Sequence, residues 1–199
     1  MENPASIIEF WFGLDADDKL TADRQASLWW SKNEALDAGM RERFGPWLDQ
    51  AASHRLDGWA ETAAGRLALI LLTDQFPRNI HRGTPQSFAY DALARTWCKE
   101  GLREGVQAKL RPIERVFFYL PLEHSESLAD QEQAVALFAE LLDGVPASHR
   151  DTFRGYYDFA VRHREVISRF GRFPHRNRIL SRESTAEELV FLQQKGSSF

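Results

Sequence analysis

A single cysteine, Cys98, stands in a chain of 199 residues, so no disulfide closes within it and no cysteine-based metal site or redox pair exists. Positive charge is not in surplus. The formal net charge is -4, which argues against nonspecific nucleic-acid binding, and no RNA-binding signature appears. Long hydrophobic runs are missing as well. The clean apolar run Leu67-Ala68-Leu69-Ile70-Leu71-Leu72 is far short of the roughly 20 residues that span a bilayer, so no membrane partner is expected. The opening Met1-Glu2-Asn3-Pro4 has no basic region leading into an apolar stretch, so no signal peptide is expected and a cytoplasmic location is the plain expectation. Gly-x-Ser-x-Gly, phosphate-loop and dinucleotide glycine patterns are absent, as is His-Glu-x-x-His. These gaps leave no cofactor and no metal to expect.

What is present is a soluble-type composition, 43% hydrophobic and 27% charged, long enough for one domain over residues 1–199 with a full core. Fourteen Phe and six Trp point to a core of large rings. Apolar residues recur at helical spacing nearly everywhere. Ile7, Ile8, Trp11 and Phe12 follow an Asn3-Pro4 start and precede Gly13. Leu36, Met40 and Phe44 lead to Gly45-Pro46, which is expected to break the chain before a short helix with Trp47 and Leu48. Ile113, Val116, Phe117 and Leu120 form a stripe expected to stop at Pro121. Phe153, Tyr156, Ala160, His163, Ile167 and Phe170 step by three and four, so His163 falls on the inward face, and Gly171 fits a left-handed cap.

Further expectations concern the joints. Leu14 to Leu20 reads as loop, and a helix starts at Pro85 and ends at Gly101. Capping boxes are expected at Ser31–Glu34 and Ser184–Glu187, and Ser148 is expected to cap the helix that carries His163. Trp11, Trp29, Trp30, Phe117 and Phe118 read as core, and residues 196–199 as a frayed tail. The expected fold is all-α, about nine or ten helices stacked as antiparallel pairs by short loops, with no sheet.

The organising stretch is Leu67 to Asp91. Its apolar half should be a central helix ending at Gln75, since Phe76 precedes Pro77. Its polar half is Asp74-Gln75-Phe76-Pro77-Arg78-Asn79 followed by His81-Arg82-Gly83-Thr84-Pro85. A second polar corner, Arg169-Phe170-Gly171-Arg172-Phe173-Pro174-His175-Arg176-Asn177, echoes it. The two are expected to meet around a shared charged interior.

Phe10-Trp11-Phe12-Gly13, Trp29-Trp30, the Asp74–Asn79 string, Arg82-Gly83-Thr84, Tyr119-Leu120-Pro121, His124-Ser125-Glu126 and the Arg169–Asn177 string together resemble the bacterial domain-of-unknown-function family 924, over about residues 7 to 192. The resemblance implies an all-helical, tetratricopeptide-repeat-like fold. It implies no activity and no catalytic residues. The periodic 34-residue signature of true tetratricopeptide repeats is absent, so no peptide groove carries over.

The candidate site therefore comes from residue chemistry. Arg78, Arg82, Arg169, Arg172 and Arg176 outnumber Asp74, Asp91 and Glu126. Guanidinium holds carboxylate or phosphate in a planar, two-pronged grip, so a surplus of arginine suits a small anionic ligand. Asn79 and Asn177 complete the binding set, and His124, His163 and His175 are the proton-transfer candidates if the protein is an enzyme. The competing reading is internal pairing of these charges across helix ends, which leaves a noncatalytic scaffold for a protein partner or a homodimer. A metal at His124, Glu126, His163 and His175 is disfavoured, because crowded arginines repel a cation.

Overall fold

The computed structural model describes residues 2–198. Among them the chain forms ten α-helices and no strand: α1 Pro4–Phe12, α2 Asp18–Trp30, α3 Glu34–Ala52, α4 Ala63–Ile70, α5 Phe76–Ile80, α6 Asp91–Arg103, α7 Pro112–Glu123, α8 Leu128–Gly144, α9 Arg150–Phe170 and α10 Ala186–Leu192. Helices adjacent in sequence lie side by side, most extensively α8 on α9 and α7 on α8, with α6 on α7 and α4. Connections as short as that from Glu123 to Leu128 force such neighbours antiparallel.

The central stretch is the core, with Leu67 through Leu72 all at 0% exposure. Around it the aromatic rings interlock. Trp29 and Phe117 lie 4.6 Å apart, Trp11 and Phe76 5.4 Å, and Phe44 and Phe76 4.8 Å. The Trp29 indole N–H donates to the Trp11 carbonyl at 2.9 Å, which satisfies its polar end inside the ring cluster.

Local signals placed several boundaries correctly. Asn3 caps α1 in a capping box with Ser6, and Gly13 follows that helix. Gly171 closes α9 at φ 68°, a left-handed conformation that costs a residue with a Cβ.

The proline rules failed at three places. α3 runs unbroken through Pro46, because Phe44 and Leu48 on either side are both buried and their packing outweighs one lost backbone bond. α7 runs through Pro121 to Glu123, and the carbonyls of Leu122, Glu123 and Ser125 are collected by the buried Gln131 amide at 3.4, 2.5 and 2.7 Å. The central helix does not stop at Gln75 either. Leu71–Gln75 widens into a π-turn and Phe76 continues in right-handed helical geometry at φ -61°. The wider turn relieves the clash that the Pro77 ring would make with the carbonyl four residues back.

Other corrections are smaller. α2 begins at Asp18, inside the expected loop, with Asp17 as its cap. The residue capping α3 is Asn33, while Ser31 closes α2, and the last box pairs Thr185 with Glu188. Pro85 opens only a short 3-10 turn before α6, which continues past Gly101 to Arg103, and Ser148 lies inside another such turn, Ala147–His149, so His149 and not Ser148 stands at the start of α9. Trp30 is not core: it is 55% exposed. In the expected frayed tail, Ser197 is buried and its hydroxyl donates to the Leu192 carbonyl at 3.1 Å, while Phe199 lies outside the described residues.

Candidate functional site

The π-turn sets the site. It carries Asp74 into the interior at 0% exposure, at the point where α4, α5, α6 and α7 approach one another. The Asp74 carboxylate accepts from His124 Nδ1 at 2.8 and 3.0 Å, from the Gln75 amide at 2.5 Å, and pairs with Arg78 at 3.3 Å. Arg78 also donates to the Asp74 main-chain carbonyl. Burial opposes ionisation of Asp74, but Arg78 and His124 outweigh it and hold the carboxyl well below its usual range. Burial and Arg78 together press His124 below the ordinary imidazole value, against the pull of Asp74. The pair is therefore a carboxylate beside a neutral imidazole. The Nδ1–H donates to Asp74, and Nε2 is left as an acceptor.

The two polar corners meet at Asp91, the first residue of α6. It accepts from Arg78 at 2.9 and 3.1 Å in a two-pronged pair, and from Arg176 at 3.4 Å. The expected juxtaposition of the Asp74 and Arg169 strings thus exists, joined through α6. Arg176 lies in the turn Pro174–Arg176, its side chain 7% exposed. Its guanidinium carbon sits 4.7 Å from the centre of the Phe88 ring and 4.5 Å from that of Phe173. The short turn Pro85–Phe88, tied by Ser87 donating to the Thr84 carbonyl at 2.6 Å, is what delivers Phe88. The Arg176 Nε is buried and has no hydrogen-bond partner. Burial and the nearby Arg78 pull the Arg176 pKa down to about 10.

A second carboxyl–imidazole pair lies beside the first. His163, on the inward stripe of α9 as the spacing predicted, places Nδ1 3.1 Å from the Glu123 carboxyl and 2.8 Å from the Phe159 carbonyl. The His124 and His163 rings are 6.3 Å apart. Glu123 is 4% exposed; burial, with Asp74 nearby, pushes its pKa up to about 8. Burial drops His163 well below the ordinary imidazole value, and His175 to about 3 with help from Arg176. Near neutrality the site thus holds a protonated carboxyl beside an ionised one, a division typical of sites that move protons.

The remaining predicted residues lie in three other groups. Asn79 and Arg82 turn to α3 and share Asp37, at 3.0 Å from the amide and at 2.6 and 2.9 Å from the guanidinium. Glu126 accepts from the Phe173 backbone N–H at 2.8 Å and from Arg182 at 2.8 and 2.9 Å, which pins the second corner to the connection between α7 and α8. Arg172 pairs with Glu188 at 2.6 and 2.8 Å, Asn177 reaches the same carboxylate at 3.3 Å, and Arg169 holds Glu187 at 2.7 Å on the surface. Two surface hollows of about 330 and 320 Å³ flank α9, share Glu165 and Arg169, and are lined by none of the groups around Asp91.

Sequence reasoning missed Glu123, Asp37, Arg182 and Glu188. Glu123 precedes His124 and was readable as a residue at a buried helix end. Nothing local marked the other three as partners. Among the described residues no cluster of three or more His, Cys, Asp or Glu is arranged to hold a metal, and no helix is long and apolar enough to cross a membrane.

The chain is similar to a solved structure described as a protein of unknown function, ATU0120, from Agrobacterium tumefaciens. The two share 41% identity with a TM-score of 0.80, over 96% of each chain. No curated protein matches it. The family described as "Bacterial protein of unknown function (DUF924)" matches residues 7–196, and with nearly the whole chain covered, the protein belongs to that family.

Proposed function

We propose that the Asp91-centred cluster binds a small anionic ligand against Arg176, with His124 as the proton-transfer group beside it. The observation that carries this is the unmet bonding of Arg176. Its partner Asp91 is already gripped by Arg78, its own ion pair is long at 3.4 Å, and its buried Nε lacks an acceptor. A buried guanidinium donor without a partner costs free energy that an arriving anion recovers. His124 adds a neutral imidazole oriented through Asp74, an arrangement suited to general-base work. Of the other arginines expected to hold the anion, Arg82 and Arg172 spend their donors on Asp37 and Glu188, so the role contracts to Arg176 with Arg78 as its support.

The test is isothermal titration calorimetry of sulfate, inorganic phosphate and small carboxylates on the wild type and on Arg176→Gln, with circular dichroism to confirm that the variant is folded. At least one anion is expected to bind the wild type and to lose its heat in the variant. Identical responses of the two proteins to every anion would sink the proposal.

A further inference from the structure

We infer that the ligand of this site is a small monocarboxylate, gripped side-on through the Nε edge of Arg176. The inference rests on the anion-binding reading above and specifies its chemistry. The first argument is charge. Arg78 and Arg176 are matched by Asp74 and Asp91 within one hydrogen-bonded group. Glu126 is matched by Arg182. The three histidines around the group, His124, His163 and His175, all have lowered pKa values and are uncharged at neutral pH, and Glu123 carries its proton there. The cluster offers an under-bonded donor but no uncompensated positive charge. A monoanion adds one charge to it and a dianion adds two, and burying unmatched charge is what such interiors resist most.

The second argument is shape. Guanidinium donors lie in its plane, and the Phe88 and Phe173 ring centres lie 4.7 and 4.5 Å from the Arg176 guanidinium carbon. A ligand that meets those donors does so at the edge of the group. On that edge the orphaned donor is Nε, with an Nη beside it. Two parallel N–H donors match the two coplanar oxygens of a carboxylate. A tetrahedral phosphate dianion fits neither the charge nor the flat approach as well.

The experiment titrates sodium acetate, sodium benzoate, inorganic phosphate and acetamide, at constant ionic strength, into the wild type and into Arg176→Lys, which keeps the charge but loses the planar edge. The Arg176 Nε–H resonance is followed by NMR in the wild type, a readout that needs no variant to fold. Acetate or benzoate is expected to bind at least tenfold more tightly than phosphate or acetamide, to shift the Nε–H signal, and to lose that preference in the lysine variant. Phosphate binding as tightly as acetate, with the Nε–H shift retained, would overturn the carboxylate assignment and leave the anion site standing. Acetamide matching acetate would overturn both the assignment and the anionic character of the site. No anion moving the Nε–H signal or separating the two proteins would overturn the anion site itself.

Discussion

Glu123→Gln should make the protein more stable, and increasingly so as pH rises. Glu123 is 4% exposed, and burial raises its pKa from an ordinary 4.5 to about 8. A carboxyl whose folded value lies above its unfolded value favours the fold below the unfolded value. That advantage drains away as pH climbs toward the folded value, because the unfolded chain ionises first. Each unit of separation is worth about 1.4 kcal/mol, so the full loss approaches about 5 kcal/mol, of which about 3 kcal/mol falls between about pH 5.5 and 8.5. Water penetration and relaxation around the site reduce this to an upper bound. The glutamine keeps the shape of the protonated acid and cannot ionise. Other groups contribute to the pH dependence with the opposite sign. His175, lowered to about 3, gives up stability as pH falls below the ordinary imidazole value, and Asp74 does so in stronger acid. His163, 3.1 Å from Glu123, and His124 are lowered as well and, like these two, give up stability as pH falls, opposite in sign to Glu123, so a gap between the two proteins that widens as pH rises reports the Glu123 carboxyl. The assay is urea denaturation of wild type and variant in matched buffers from about pH 5.5 to 8.5, with the slope checked for constancy. A difference in unfolding free energy that stays flat across this range would refute the reasoning.

Two further outcomes follow from burial. Asp74→Ala strips a carboxylate with no exposure of its own from both His124 and Arg78, and should cost about 3–5 kcal/mol by urea denaturation, since both groups are left largely buried without it. A cost under about 1 kcal/mol would mean that the Asp74 network contributes no stability. Trp11→Ala, at 0% exposure against Trp29, Phe76 and Phe117, should cost about 3–5 kcal/mol, whereas Trp30→Ala at 55% exposure should cost about 1 kcal/mol or less; equal thermal shifts for the pair would contradict the placement of these rings.

The helical periods and end signals were legible because they depend on neighbours in the chain. The step pattern of α9 put His163 inside, and Gly171 named its own cap. Rules of the same local kind failed at Pro46, Phe76 and Pro121, where the deciding energy is not local. One missing backbone bond costs about 3 kcal/mol in a helix interior, and burying residues such as Phe44 and Leu48 or Phe117 and Leu122 on both sides of a proline offsets that. The failed boundaries also share a location. The π-turn that absorbs Pro77 positions Asp74, and the helix that passes through Pro121 positions Glu123 and His124. The departures from local rules are thus what bring the two carboxyl–imidazole pairs together.

The arginine surplus read from the sequence had a different fault. It weighed the arginines of two strings against the carboxylates of the same neighbourhoods, although an ion pair can form between residues far apart in the chain. Arg82 reaches back 45 residues to Asp37, and Arg172 forward 16 to Glu188. With those carboxylates counted, the surplus disappears. What survives is a deficit of hydrogen bonds at one guanidinium, because Asp91 is divided between Arg78 and Arg176 and two aromatic rings, not acceptors, stand beside the second of them. Charge tallies cannot show that kind of vacancy, since Arg176 is electrically balanced and still short of an acceptor. Arg66 Nε and the Trp11 and Trp97 indole N–H groups are also buried without an acceptor, so an unmet donor alone does not name a site; Arg176 Nε is set apart by lying on the seam where both corners, α6 and the His124 imidazole converge.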